Sequence, residues 1–223
     1  RFAMSKVVVF NQPGDADVLT IQDMPVSAPR ADEVQIRVRA IGINRAEIMY
    51  RTGQYIYQPK FPARLGYEAS GVVESVGDNV REFAPGDYVS VIPAFSFHEY
   101  GMYGEVVNAP AHAVVKHPEN LSFEEAAASW MMYVTAFGAL VEYADIQPGD
   151  NVLINAASSS VGLAAIQIAN MRGAKPIAMT RTSEKRAQLL QLGAAEVIAS
   201  QEQDLVAEIN RITDGKGTRV VFD

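Results

Sequence analysis

Hydrophobic positions change period partway along the chain. Residues 4 to about 120 read as mainly β. Lys6–Phe10 is a short apolar run. In Glu33–Ile43, Val34, Ile36 and Val38 alternate with Gln35, Arg37 and Arg39, the period of a strand with one buried face. Gly71–Val76 and Asp87–Ile92 are further strands, punctuated by Gly77-Asp78-Asn79 and Ala84-Pro85-Gly86-Asp87. Short strands separated by Gly/Pro turns predict a barrel or sandwich. The pattern turns helical near Leu121. Ser122 is placed to cap, Glu124 and Glu125 fall in the first turn, and the stretch runs to about Tyr143.

After Pro148-Gly149-Asp150, strands and helices alternate. Strands are expected at Asn151–Asn155, Pro176–Thr180, Glu196–Ile198 and Arg219–Phe222. Helices are expected at Ser160–Arg172, stopped by Gly173, at Ser183–Leu192, capped by Ser183 and stopped by Gly193, and at Asp204–Ile212. Such alternation predicts a parallel, doubly wound sheet, because parallel strands need crossover connections. The boundary between a β domain and an α/β domain is expected between 121 and 122. Four strands of that sheet precede Asp223, against the usual six, and the last leaves an apolar edge. This reads as a truncation, a disordered remainder or a fragment.

The first strand-to-helix connection carries the candidate chemistry. Asn155-Ala156-Ala157-Ser158-Ser159-Ser160-Val161-Gly162 occupies the place where a dinucleotide pyrophosphate meets the N–H groups of a helix N-terminus. At the three positions of G-x-G-x-x-G stand Ala157, Ser159 and Gly162. Ala and Ser keep the loop small, and a Ser hydroxyl can donate to phosphate. The alternative is a plain polar loop. The second strand ends at Arg181, with Lys185 in the next helical turn. No carboxylate stands where NAD sites hold the ribose, and a guanidinium there favours the 2′-phosphate of NADP. The competing view is an ordinary solvated helix start.

Composition narrows the classes. The chain has 223 residues, a formal net charge of -7 and no cysteine. Nucleic-acid binding by phosphate neutralisation is disfavoured, and disulfides, thiolate chemistry and Cys-based zinc sites are excluded. No apolar run is long enough to span a membrane, and the reading is of a cytoplasmic protein. Arg1-Phe2-Ala3 precede Met4, which reads as the natural start.

Residues 66–77, Gly-Tyr-Glu-Ala-Ser-Gly-Val-Val-Glu-Ser-Val-Gly, followed by Gly86-Asp87-Tyr88-Val89, resemble the signature of the zinc-free medium-chain dehydrogenases/reductases of the quinone oxidoreductase type. Leu121–Ala128, Ser160–Gly173, Lys185 and Leu192-Gly193-Ala194 carry the resemblance through the rest of the chain. It implies a GroES-like β-barrel followed by a partial Rossmann domain, with the active site between them. It also implies a small-molecule substrate, no nucleic-acid or membrane partner, and a homodimer for the full-length form. Zinc-bearing relatives ligate the metal at positions matching Asn44, Tyr67 and Met131, and none of these is a good zinc ligand. Glu68 alone cannot hold the ion. His98, His112 and His117 lack ligand spacing and read as solvated or hydrogen-bonded surface groups.

Without a Lewis acid, hydride transfer to a quinone or enone, whose charge delocalises, is easier than oxidation of a simple alcohol. The resemblance marks Asn44 as an oxyanion donor, against a turn-forming Asn, and Tyr55 of Gly53-Gln54-Tyr55 as a proton donor, against a Tyr that merely lines the cleft. Thr135 is implied to lie under the nicotinamide, with Trp130, Met131, Met132 and Tyr133 lining the pocket or simply forming core. Met49 stands where quinone reductases often carry Tyr, with Tyr50 as its neighbour. Three readings follow: an NADPH-dependent quinone or enone reductase, a catalytically weak binding or structural protein on the same fold (crystallin-like or transport-associated), and a zinc alcohol dehydrogenase.

Overall fold

A computed structural model describes residues 4–223; Arg1-Phe2-Ala3, the stretch before the expected start, lie outside the described residues. The chain forms two compact units that divide between Met131 and Met132.

The first unit holds β1 (Met4–Phe10), β2 (Thr20–Pro25), β3 (Glu33–Ile41), β4 (Ala63–Arg64), β5 (Ala69–Val76), β6 (Tyr88–Val91), β7 (Val106–Pro110) and β8 (Val114–Lys116). They form two antiparallel sheets, ordered β2-β1-β4 and β7-β3-β5-β6-β8. The alternation in β3 holds: Val34 and Ile36 are buried with Val73, Val89 and Val107, while Arg37 and Arg39 are exposed. Each such aliphatic side chain contributes roughly 1.5–3 kcal/mol on burial.

Two short helices belong to this unit. In α1 (Arg45–Arg51) only Glu47 and Tyr50 are buried. Ser122 caps α2 (Phe123–Ala128): its hydroxyl accepts the Glu125 N–H at 3.1 Å, and the Glu125 carboxylate accepts the Ser122 N–H at 2.9 Å, a reciprocal capping box. The Ser90 hydroxyl of β6 donates to the Ala126 carbonyl at 3.1 Å, and the Ser70 hydroxyl of β5 donates to the Phe123 carbonyl. These bonds hold α2 on the barrel sheet, so the units part after α2 rather than at Leu121. The single helical stretch expected up to Tyr143 is α2, then α3 (Trp130–Phe137), then a π-helical turn at Gly138–Tyr143.

The second unit alternates β9 (Asn151–Ile154), α4 (Ser160–Met171), β10 (Lys175–Thr180), α5 (Arg186–Gln191), β11 (Glu196–Ala199), α6 (Leu205–Thr213) and β12 (Val220–Phe222). The strands are all parallel and ordered β11-β10-β9-β12. Val152, Ile154 and Ala178 pack with Ile166 and Ala169 of α4 on one face. Leu153, Ile177 and Ile198 pack with Leu205, Ile209 and Ile212 of α6 on the other, so the sheet is doubly wound as expected. Gly173 and Gly193 follow α4 and α5 with φ of 73° and 105°, the left-handed stop that glycine tolerates. One cap differs: Thr182 is the N-cap of a 3-10 turn at Ser183–Lys185 that leads into α5, and the Ser183 N–H goes to the Glu202 carboxylate at 3.0 Å. Because β10 and β12 flank β9, the strand order reverses there, and the crevice at the carboxyl ends of the strands is where such sheets bind ligands.

Candidate functional site

At that crevice the loop after β9 turns sharply. Ala156 adopts φ 44°, its N–H is taken by the Asn155 side-chain oxygen at 2.8 Å, and the Ser159 N–H returns to the Ala156 carbonyl at 2.8 Å. Ser159 is the N-cap of α4, its hydroxyl oxygen accepting the Gly162 N–H at 3.1 Å. That leaves the hydroxyl proton of Ser159 to donate elsewhere. Ala157 is fully buried and holds the loop to the sheet through its N–H and the Met179 carbonyl at 3.1 Å. Gly162 is required by packing, since a Cβ there would lie 2.7 Å from the Ala156 carbonyl oxygen and the Ala157 Cα. The backbone N–H groups of Ser158, Ser160 and Val161 find no partner among the described residues, the arrangement that accepts an anion at a helix N-terminus.

A cavity of about 420 Å³ opens on this loop, lined by Asn155, Ala156, Ser158, Ser159, Met179, Thr180, Arg181 and Ser200. Arg181 thus shares one pocket with the small-residue loop. Lys185 reaches the same loop, its Nζ donating to the Ser158 hydroxyl at 3.4 Å. Arg181 forms no ion pair among the described residues. Sequence reasoning did not reach Ser200, Met179 or Thr180; all lie at the carboxyl ends of β10 and β11, which is the general signal that could have found them. Thr135 lies on the exposed face of α3, outside the lining of this cavity. Met132 and Tyr133 pack against the core of the second unit, and the Tyr133 hydroxyl donates to Gln167 Oε1 at 2.5 Å.

In the first unit, the three positions compared with zinc ligands gather around two buried glutamates. Asn44 Nδ2 donates to Glu68 Oε1 at 2.8 Å, and the Met131 N–H donates to Glu68 Oε2 at 2.9 Å. Glu47 accepts the Asn44 N–H on one oxygen at 2.9 Å and the Tyr67 N–H on the other at 3.1 Å. Glu68 and Glu47 are 2% and 3% exposed, so burial works against their charge. Burial pushes Glu47 up to about 7, opposed by the N–H groups of Tyr67 and Asn44 and reinforced by the Glu68 charge; burial raises Glu68 as well, against its bonds to Met131 and Asn44. Tyr67 and Met131 meet these carboxylates through backbone N–H groups and Asn44 through its amide, while the side chains at the three positions, an amide, a phenol and a thioether, are poor zinc ligands.

Tyr55 joins an aromatic nest. Its hydroxyl lies 3.0 Å from that of Tyr67, which lies 2.8 Å from that of Tyr57. Tyr67 stacks on Phe97 with ring centroids 3.8 Å apart, and Phe97 stacks on Tyr50 at 4.7 Å. Tyr50 is fully buried and serves as core, while its neighbour Met49 is partly exposed. Met131 packs against the same nest. Burial, then the two neighbouring phenols, push the Tyr67 hydroxyl above its ordinary range, so it stays protonated. One expectation is corrected: His117 is buried rather than solvated, with Nδ1 at 3.1 Å from the Pro118 carbonyl and Nε2 enclosed. His98 and His112 each contact a backbone carbonyl, at 2.7 and 3.1 Å. Among the described residues, no helix is long and apolar enough to cross a membrane.

Comparison with known proteins bears on the fold and the family. Residues 30–119 match the alcohol dehydrogenase GroES-like domain, and residues 160–223 match the zinc-binding dehydrogenase family. Human quinone oxidoreductase is 36% identical over 220 residues, 99% of this chain and 66% of that protein. The structure of Escherichia coli quinone oxidoreductase complexed with NADPH superposes with a TM-score of 0.88 at 36% identity, over 98% of this chain and 65% of that one. The CurK enoyl reductase structure gives 0.89 at 30% identity, over 99% and 67%. The chain therefore spans about two thirds of the length of these relatives. It belongs to the quinone oxidoreductase family of the medium-chain dehydrogenases/reductases.

Proposed function

We propose that this protein is an NADPH-dependent reductase that passes hydride to a quinone or an α,β-unsaturated carbonyl without a metal. The observation that carries the reading is the pairing of Arg181 with the small-residue loop in one cavity of about 420 Å³. The unpartnered N–H groups of Ser158, Ser160 and Val161 suit a pyrophosphate, and the Arg181 guanidinium suits a 2′-phosphate. Lys185, already at the Ser158 hydroxyl, adds a second positive charge. NADPH, when bound, supplies the hydride. In the first unit, one Asn44 amide hydrogen is held by Glu68, which fixes the amide plane and leaves its second hydrogen for a developing oxyanion. Substrates whose charge spreads through a conjugated system need only such a hydrogen bond and a proton.

The test is a calorimetric titration with NADPH and NADH, followed by absorbance at 340 nm with 1,4-benzoquinone and with a 2-alkenal. The reading expects NADPH to bind at least about tenfold more tightly than NADH, and one of the acceptors to consume it. Equal affinities, or no binding of either, would remove the cofactor assignment.

A further inference from the structure

The three-tyrosine cluster has a direction. The Tyr67 hydroxyl belongs to a side chain that is 6% exposed, and its polar neighbours are the hydroxyls of Tyr55 and Tyr57 at 3.0 and 2.8 Å. The Tyr57 oxygen also accepts the backbone N–H of Phe97 at 3.1 Å. Each phenol has one proton to give, and a Tyr67 that accepted from both neighbours would bury its own proton without an acceptor, so the chain of three has two consistent polarities. In one, protons run from Tyr57 to Tyr67 to Tyr55. In the other they run back, and the Tyr57 oxygen must accept from both Phe97 and Tyr67.

The backbone donor breaks the tie. An oxygen that accepts a hydrogen bond becomes a better donor, whereas one that accepts twice binds each donor less well. Phe97 N–H is fixed, so the cooperative order is Phe97 N–H to Tyr57, Tyr57 O–H to Tyr67, and Tyr67 O–H to Tyr55. In this order the 2.8 Å contact is the bond that Tyr57 donates and the 3.0 Å contact the bond that Tyr67 donates. Tyr55 then accepts from Tyr67, and its own proton has no acceptor among the described residues.

We propose that Tyr67 and Tyr57 are positioning residues that polarise a hydroxyl relay, leaving the Tyr55 proton free for the reduced substrate. This rests on the reductase reading above. Hydride carries both electrons from the nicotinamide dinucleotide to the acceptor. The Tyr55 O–H bond breaks as the anionic carbon or oxygen of the acceptor gains the proton. The Tyr67 proton moves to Tyr55 and the Tyr57 proton to Tyr67. Water returns a proton to the half-buried Tyr57, whose oxygen the Phe97 N–H stabilises meanwhile. Tyr67 rests as a phenol, so in each turnover it gives one proton to Tyr55 and takes one from Tyr57. Nothing in the sequence marks Tyr67 or Tyr57 for this; the relay exists only once the 55–57 segment meets the strand-leading Tyr67.

The relay is read directly by neutron diffraction from crystals exchanged into D2O. Deuterium on Tyr57 directed at Tyr67, and on Tyr67 directed at Tyr55, supports the proposal. The opposite directions overturn it, whether or not the protein turns over. Kinetics supply the second arm. Tyr67→Phe keeps the ring stack on Phe97 and removes only the hydroxyl. Relative to the unsubstituted chain it should lower kcat about tenfold or more, change the solvent isotope effect, and leave KM and the NADPH affinity within about twofold. An unchanged kcat and isotope effect in an active protein would overturn the relay. An unsubstituted chain that binds NADPH but reduces no quinone or alkenal would instead count against the reductase reading, with the deuterium positions still deciding the polarity.

Discussion

Gly42 and Glu68 are fitted to one another: a Cβ on Gly42 would overlap Cγ, Cδ and Oε1 of the Glu68 side chain. The carboxylate that orients Asn44 therefore occupies space that only glycine leaves open. Gly42→Ala should displace Glu68 and cost about 1–3 kcal/mol. Glu68→Ala should cost roughly 2–4 kcal/mol, because it strands the Asn44 amide and the Met131 N–H. The double variant should cost clearly less than the sum, since the clash vanishes with the carboxylate. Urea unfolding of the four proteins measures this, and strict additivity would deny the coupling.

Glu47 should make stability fall with rising pH. Its folded value is raised to about 7 from an ordinary 4.5. Below 4.5 both states hold the proton and nothing is lost. Between 4.5 and 7 the unfolded chain ionises while the folded one keeps its proton, so stability declines, by on the order of 3 kcal/mol in total, and then levels off. Glu33 is shifted the other way, its bonds to Arg30 outweighing burial, and Asp87 is lowered by the Ala84 N–H and Lys116; their contributions are lost as pH falls. Comparing the chain with Glu47→Gln by urea unfolding from pH 4.5 to 8 isolates the effect. Parallel curves across that range would count against it.

Gly162→Ala places a methyl 2.7 Å from backbone atoms of Ala156 and Ala157, which cannot swing aside as a side-chain tip can. The substitution should destabilise the second unit by about 1–3 kcal/mol. Hydrogen exchange at α4 and β9 should rise accordingly. Exchange confined to wild-type levels would show that the loop relaxes freely.

Arg181→Ala should weaken NADPH about 10- to 100-fold, the worth of one charge-assisted pair of hydrogen bonds, and leave NADH within about twofold. Calorimetric titration checks the split. Equal losses for both cofactors would place Arg181 on the pyrophosphate or in the structure instead.

The second unit was legible because its signals are local. Val152, Leu153 and Ile154 form a buried apolar run, and Gly173 and Gly193 adopt the left-handed φ that ends each helix. The first unit was legible where one face is buried, as in β3. Strand β2 was invisible because five of its six residues are exposed and β1 alone holds it; β4 is two residues recruited by Val9 and Phe10. Helix α1 was missed although Asn44 and Glu47 have the spacing of a capping box. At the site, the loop, Arg181 and Lys185 could be named because strand order brings them together. Glu47 bonds locally to Asn44 but meets Tyr67 at a separation of 20 residues, and Tyr57 and Tyr67 acquire their partners at separations of 40 and 12, contacts that no local pattern encodes.

In the proposed function, the Asn155–Gly162 loop and Arg181 form one NADPH site. A crystal structure of this chain grown with NADPH tests it most directly. Pyrophosphate density is expected against the N–H groups of Ser158, Ser160 and Val161, with the 2′-phosphate on the Arg181 guanidinium. Cofactor density elsewhere, or a 2′-phosphate pointing away from Arg181 into solvent, would contradict it.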